Sequence, residues 1–432
     1  MSWILVALYF AIILYFIPRI PFFQNTGLSK FDIRMVYSIK VAAGFALFAI
    51  YFFYYGNNRS TADSFRFFDD ALIIYEQLFS SPLTYFKTLF GIALNDPEVA
   101  STIENLNNWF KPYNQGVYND NQSIIRFNAL AMLLSFGNFH IHTLLMNLLS
   151  MFGLMAIYRL LKSELNLGKY TWLLAVFFLP QVLLWSLGVL KEGLLLLAMG
   201  LFIYAAWKIV SKADYSINHF LILAFSFWGL LLVKNYIILC LMPSLIFLFA
   251  QRFLPKLKKV NVALIVLGAC ATMIILLSQI EALGLLEKIV SKQVDFIRLG
   301  IMSNSGSYFE LSPLSPNLAS FFKTIPEALL NASLCPFIYD SSSVFEYLAS
   351  LEALFIVFLI ISAFIIGPKQ GLWNSNTFWF SFLFYLSLLV IIGLVTPVSG
   401  AIVRYRIPAL VILLPVLVNF LPNKLHAFTR KF

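Results

Sequence analysis

The sequence predicts an all-α, polytopic integral membrane protein of about 11 transmembrane helices, with interfacial or re-entrant helices in a large first outer loop. Two observations carry that prediction. The 432 residues are 60% hydrophobic and 17% aromatic, too apolar for a soluble globular chain. Charged residues make up only 12% and fall mostly between long apolar runs, each near the ~20 residues needed to cross the hydrocarbon. The net charge of +10 would suit nucleic acid only if it formed one contiguous patch, and here it is dealt out between the runs. The expected partners are therefore membrane lipids and not nucleic acid.

The predicted spans are residues 2–18, 38–55, 139–161, 171–187, 189–209, 219–233, 236–251, 260–278, 347–366, 377–395 and 404–421. The first is apolar from Trp3, with no basic segment ahead of it and no small-residue cleavage site, so it reads as a retained span and not a signal peptide. Its flanking cations, Arg19, Lys30, Arg34 and Lys40, follow it, which predicts an outside N-terminus and a cytoplasmic C-terminus. In that orientation the inner side holds 17 of the 30 basic residues and three of the 20 acids, a net +14 against −4 outside. The chain reads as a single transmembrane domain over 1–432 with outer loops 56–138 and 279–346 and no separate soluble domain. The short run Ile124–Phe136, closed by Gly137-Asn138, reads as re-entrant or interfacial.

Loops this long are more often functional than idle. The first contains STADSFRFFDDALIIYEQLF, residues 60–79. At 100° per residue, Asp63, Arg66, Asp69, Asp70, Glu76 and Gln77 share one helix face, and Phe65, Phe68, Leu72, Tyr75 and Phe79 the other. That pattern fits a helix in the membrane interface with its acids toward water. It equally fits a capping box, Ser60-x-x-Asp63, in which Asp63 does no more than cap the helix.

Three predicted hairpin tips are basic and lie at the same outer boundary: Lys191-Glu192, Lys234-Asn235-Tyr236 and Arg404-Tyr405-Arg406-x-Pro408. Singly, each is an ordinary solvated turn, and Lys191 could snorkel while Glu192 meets a helix dipole. Together, level with an acidic helix, they suggest a site for the phosphate of a membrane-bound lipid, with arginine as a bidentate ligand and lysine as a point charge. His140 and His142 lack a partner at metal spacing and read as structural; Glu352 is the lone acid well inside a span. Cys240, Cys270 and Cys335 are too scattered for a disulfide framework or a zinc site.

The order of these parts resembles the GT-C superfamily of membrane glycosyltransferases. The features that carry the resemblance are Ala62-Asp63 soon after a span, the interfacial helices behind it, a many-span bundle, and Arg404-Tyr405-Arg406-Ile407-Pro408 late in the chain. The segment Phe322–Glu352 is similar to loop-to-span segments of bacterial polysaccharide glycosyltransferases and polymerases. The chain departs from the pattern in having Ala62 where glycine is usual, a rival pair Asp69-Asp70, and an extra first span. The resemblance implies a bacterial cytoplasmic (inner) membrane enzyme that moves a sugar from a polyprenyl-phosphate donor to a glycan or protein acceptor on the periplasmic face.

Such a transfer needs a carboxylate to take the acceptor proton and cations to stabilise the departing phosphate. Asp63 is the expected base, with Asp69 or Asp70 as substitute, and Asp63 with Asp70 the expected ligands of an optional Mg²⁺ or Mn²⁺. Arg66, Lys191, Lys234, Tyr236, Arg404, Tyr405 and Arg406 are the expected substrate and lipid-phosphate contacts, and Glu192 is expected to orient Lys191. The rival readings are a polymerase or ligase of lipid-linked oligosaccharides, a flippase, and a non-catalytic subunit of a secretion or surface-assembly machine that binds other membrane proteins. A flippase needs ionisable groups through the membrane depth, and this sequence mostly lacks them.

Overall fold

The computed structural model describes residues 2–54, 62–110, 120–186, 188–302, 305–367 and 371–421. Those residues are helical throughout, apart from loops and one isolated bridge between Tyr308 and Val398. In order the helices are α1 (Ser2–Phe16), α2 (Lys30–Ala49), α3 (Asp63–Ser80), α4 (Pro82–Phe90), α5 (Pro97–Glu104), α6 (Asp120–Ser135), α7 (Phe139–Lys162), α8 (Lys169–Trp172), α9 (Pro180–Trp185) and α10 (Lys191–Ser211). They continue as α11 (Ile217–Lys234), α12 (Tyr236–Phe253), α13 (Lys259–Ser278), α14 (Leu285–Met302), α15 (Leu318–Leu334), α16 (Val344–Ile366), α17 (Asn376–Val395), α18 (Ser399–Tyr405) and α19 (Ile407–Asn419).

Eight of these are long and apolar enough to cross a membrane: α2 with the π turn that extends it to Tyr54, and α7, α10, α11, α12, α13, α16 and α17. The other three predicted spans take different forms. Residues 2–18 form a shorter apolar helix. Residues 171–187 are broken into α8, a π turn and α9, because Pro180 sets its own φ and forces Leu179 into the extended region. Residues 404–421 belong to α18 and α19, bent by 58° where Pro408 has no N–H to continue the ladder.

Side-chain contacts fix which helix ends lie together. Trp3 of α1 stacks on His140 at the start of α7, and Phe139 packs on Phe65 and Phe68 of α3. At the opposite end Lys212, just past α10, pairs with Glu164, just past α7, at 2.6 Å, and Lys169 pairs with Asp32 of α2 at 3.2 Å. Helices α7 and α10 therefore run parallel, and the broken α8–α9 segment carries the chain back between them. Asn166 donates its N–H to Asn419 at 3.1 Å, so the end of α19 also reaches that far end.

The parallel pair crosses at two glycines. A Cβ on Gly200 would stand 2.2 Å from the Gly153 carbonyl oxygen, and one on Gly153 would stand 2.0 Å from that of Leu196. Only glycine lets these backbones meet, the small-residue solution to helix packing in membranes. Lys40 is the main departure from the expected charge layout: it lies wholly buried on α2, donating to Ser186 Oγ at 2.7 Å, and so does not flank a span.

The crossing gives the first prediction. Gly200→Leu should destabilise the detergent-solubilised protein by about 3 kcal/mol or more, because two helix backbones must separate. Gly268→Leu, with nothing within 4 Å of its Cβ, should leave thermal unfolding unchanged within about 0.5 kcal/mol.

Candidate functional site

Helix α3 opens at Asp63 because Ala62 is extended, and no side chain caps it. Ser60, the other half of the predicted capping box, lies outside the described residues. Phe65 and Phe68 are buried, meeting Phe139 at centroid distances of 5.3 and 5.1 Å. These rings hold the helix across the bundle end, with the Asp63 side chain left 40% exposed.

The Asp63 carboxylate accepts a hydrogen bond from Arg404 Nη1 at 3.0 Å. Arg404 Nη2 donates to both oxygens of Glu192, at 3.1 and 3.2 Å. Lys234 Nζ donates to Glu192 Oε1 at 3.2 Å and sits 4.0 Å from the Tyr405 ring centre. Lys191 lies beside this chain, pairing with Asp120 at 2.8 Å, donating to Asn121 Oδ1 at 2.7 Å, and standing 4.9 Å from the Phe67 ring centre. The Arg404 guanidinium also lies 5.1 Å over the Trp185 ring. Three carboxylates thus meet three cations at one end of the bundle.

The groups are not equally held. Glu192 is 3% exposed and has two cationic partners at the first turn of α10, where the helix dipole also favours a negative charge. Among the described residues Asp63 is paired with Arg404 alone. Tyr236 belongs to the same neighbourhood, within electrostatic reach of Tyr405, Glu192 and Asp120, and its buried hydroxyl has no hydrogen-bond partner among the described residues.

Several expected site residues lie elsewhere. Asp70 is fully buried, its two oxygens accepting the backbone N–H groups of Asn107 at 3.0 Å and Asn108 at 2.8 Å. Burial pushes its carboxyl above the ordinary range, and those two N–H groups oppose the shift. Asp70 therefore folds the loop after α5 and does not act beside Asp63, from which it stands two helical turns, about 10 Å, along α3. Arg66 serves the same loop, donating from Nε to Asn108 Oδ1. Asp69 lies half-buried on α3.

Arg406 turns away from Arg404, as residues two apart on a helix must. It is buried, donating to Gln181 Oε1 at 3.0 Å and to the carbonyls of Ser333 and Cys335 at 3.2 and 3.1 Å. Glu352 joins that second cluster by accepting the Gln181 N–H at 3.3 Å. Glu192 does not orient Lys191: neighbours on α10 point about 100° apart, and each finds a different partner. Asp63 and Asp70 do not converge as metal ligands, and among the described residues no three His, Cys, Asp or Glu side chains gather as a metal site. His142 is buried against Asn128 and Ser135, at 3.1 and 3.2 Å.

Asp120, Asn121 and Trp185 are cluster members the sequence did not single out. Asp120 opens α6 with the acidic first-turn residue that could have drawn notice. Asn121 also donates to the Asn108 carbonyl at 3.0 Å, so the loop that Asp70 and Arg66 hold is the support for Lys191.

Two stability predictions follow from these burials. Glu192→Ala should cost about 3–5 kcal/mol in thermal or denaturant unfolding, since it leaves Lys234 buried without its carboxylate and takes one of Arg404's two acidic partners, whereas Asp63→Asn should cost under about 1 kcal/mol. Asp70→Ala should cost about 2 kcal/mol or more by leaving two backbone donors unsatisfied, and should speed proteolysis around residues 105–110.

No family model, no functionally characterised protein and no solved structure matches the chain.

Proposed function

We propose that the protein is a GT-C-like membrane glycosyltransferase of surface glycan or glycoconjugate assembly. The observation that supports it best is the Asp63–Arg404–Glu192–Lys234 chain, which gathers residues from four distant parts of the sequence at one end of the bundle. In this reading all eleven apolar segments cross a bacterial inner membrane, with the N-terminus and the cluster on the periplasmic side, the C-terminus in the cytoplasm, and α3–α6 interfacial or re-entrant. The surplus of basic residues at the opposite end favours that orientation.

The donor is a sugar on a polyprenyl phosphate. Its phosphate meets a cluster already neutral by charge, so it must take the place of a carboxylate. Glu192, buried with two cations, stays. Asp63, two-fifths exposed and held by Arg404, is the carboxylate released. Arg404 and Lys234 then hold the phosphate, and the freed Asp63 takes the proton of the acceptor hydroxyl as that oxygen bonds to the sugar's anomeric carbon. The bond from that carbon to the phosphate oxygen breaks, and its electron pair leaves with the polyprenyl phosphate, stabilised by the cations. Donor binding itself thus uncovers the base. No step requires a metal.

Purified protein given a polyprenyl-phosphate sugar and an acceptor should transfer label, and Asp63→Asn should lower the rate by roughly 10²- to 10⁴-fold while costing under about 1 kcal/mol in thermal unfolding. Transfer by Asp63→Asn at the parent rate would remove Asp63 as base. If Asp63→Asn and Arg404→Gln instead left cellular function intact, the chain would fit a non-catalytic assembly subunit.

A further inference from the structure

At the end of the bundle away from this cluster, a hollow of about 260 Å³ opens between the last turns of α7 and α10 and the turn before α2. Its lining includes Arg159, Lys162, Lys208 and Lys212, with Thr26 and Ser163 among the polar groups, and no acid among the described residues. We infer that this hollow binds a phosphate-bearing anion, about 30 Å along α10 from the acidic cluster.

The cations are placed by the fold. Arg159 Nη1 donates to the Phe22 carbonyl at 2.6 Å with its guanidinium over the Phe22 ring, and Lys162 donates to the Thr26 carbonyl. Tyr158 donates to that same carbonyl at 2.9 Å. Gly27, at φ +79°, lets the turn close here, and a Cβ on it would fall 1.9 Å from Lys162 Nζ. From α10, Lys208 stands 5.8 Å from the Tyr204 ring centre, and Lys212 is paired with Glu164.

These hydrogen bonds use one N–H of Arg159, which has five, and one of Lys162, which has three. The other acids at this end do not line the hollow: Asp32 pairs with Lys169 at 3.2 Å, and Asp214 accepts the Ser216 N–H at 3.3 Å. Four cations and one adjoining carboxylate leave a surplus of positive charge that a phosphate relieves while accepting the spare donors. Two sources offer that group at a helix end: the headgroup of an anionic lipid or a free phosphate in solution. The contrast with the opposite end is chemical, because there three carboxylates already balance three cations.

The test uses the full-length protein in neutral detergent and follows its melting temperature on titration with phosphatidylglycerol, phosphatidylcholine or inorganic phosphate. Phosphatidylglycerol should raise it saturably and phosphatidylcholine should not. Lys208→Gln, which loses no hydrogen bond, should weaken the apparent affinity roughly fivefold, while Lys256→Gln on the α12–α13 loop should not change it. A shift with phosphatidylglycerol alone identifies a lipid headgroup, and an equal shift with inorganic phosphate identifies a free anion. No saturable shift with either, a shift with phosphatidylcholine as large, or equal affinities for the parent and Lys208→Gln would overturn the inference.

Discussion

A carboxylate with almost no contact with water cannot stay charged unless cations and donors replace its hydration, and Glu192 is such a group. Its partners come from residues 234 and 404, the end of α11 and the end of α18, so three helix ends far apart in sequence must meet for it to be satisfied. Most of the described site is arranged around that requirement. The chain bends by 58° just after Arg404, α7 meets α10 at the two glycines, and the broken α8–α9 segment lets α10 begin at this end at all. Replacing such a network by apolar residues often costs a protein little, whereas removing one member costs much. In the function we propose, that network is also the cationic cradle for a phosphate.

The proposed exchange rests on the unequal grip on the two acids that share Arg404. Among the described residues Glu192 receives two hydrogen bonds from the guanidinium and a third from Lys234, away from water, and Asp63 receives one, with solvent beside it. Coulomb attraction falls severalfold between such settings, so in the proposed exchange an incoming anion displaces Asp63 and not Glu192. Arg406 cannot answer in Arg404's place, since it is bound to Gln181 and two backbone carbonyls on the other side of the bend.

The sequence made the helix of residues 63–80 legible through its 3.6-residue period, and it made the three basic tips legible because charges interrupt apolar runs. Partner choice was not legible. Asp63 and Asp70 look alike on a helical wheel, yet one reaches Arg404 and the other lies under Asn107 and Asn108, because only the fold says which stretch of the face a later loop covers. Arg404 and Arg406 looked like a single motif and serve separate clusters. Lys40 looked like a flanking charge and is buried against Ser186, a contact 146 residues away in sequence. Residues 171–187 had the composition of a span, but Pro180 decided their shape.

The two ends of α10 show how one helix can hold charge in two ways. At its start the charges are paired within the protein, so any anion that binds must exchange with a group already there, and exchange moves that group. At its other end the cations outnumber nearby acids, so the anion we infer there binds by addition and displaces no carboxylate. Exchange suits chemistry, since it links arrival of a substrate to release of a base; addition suits anchoring, since it leaves the protein's own pairs undisturbed. Both follow from the number of carboxylates within reach, a quantity set by where α3 and α6 fold back over one end of the bundle and not the other.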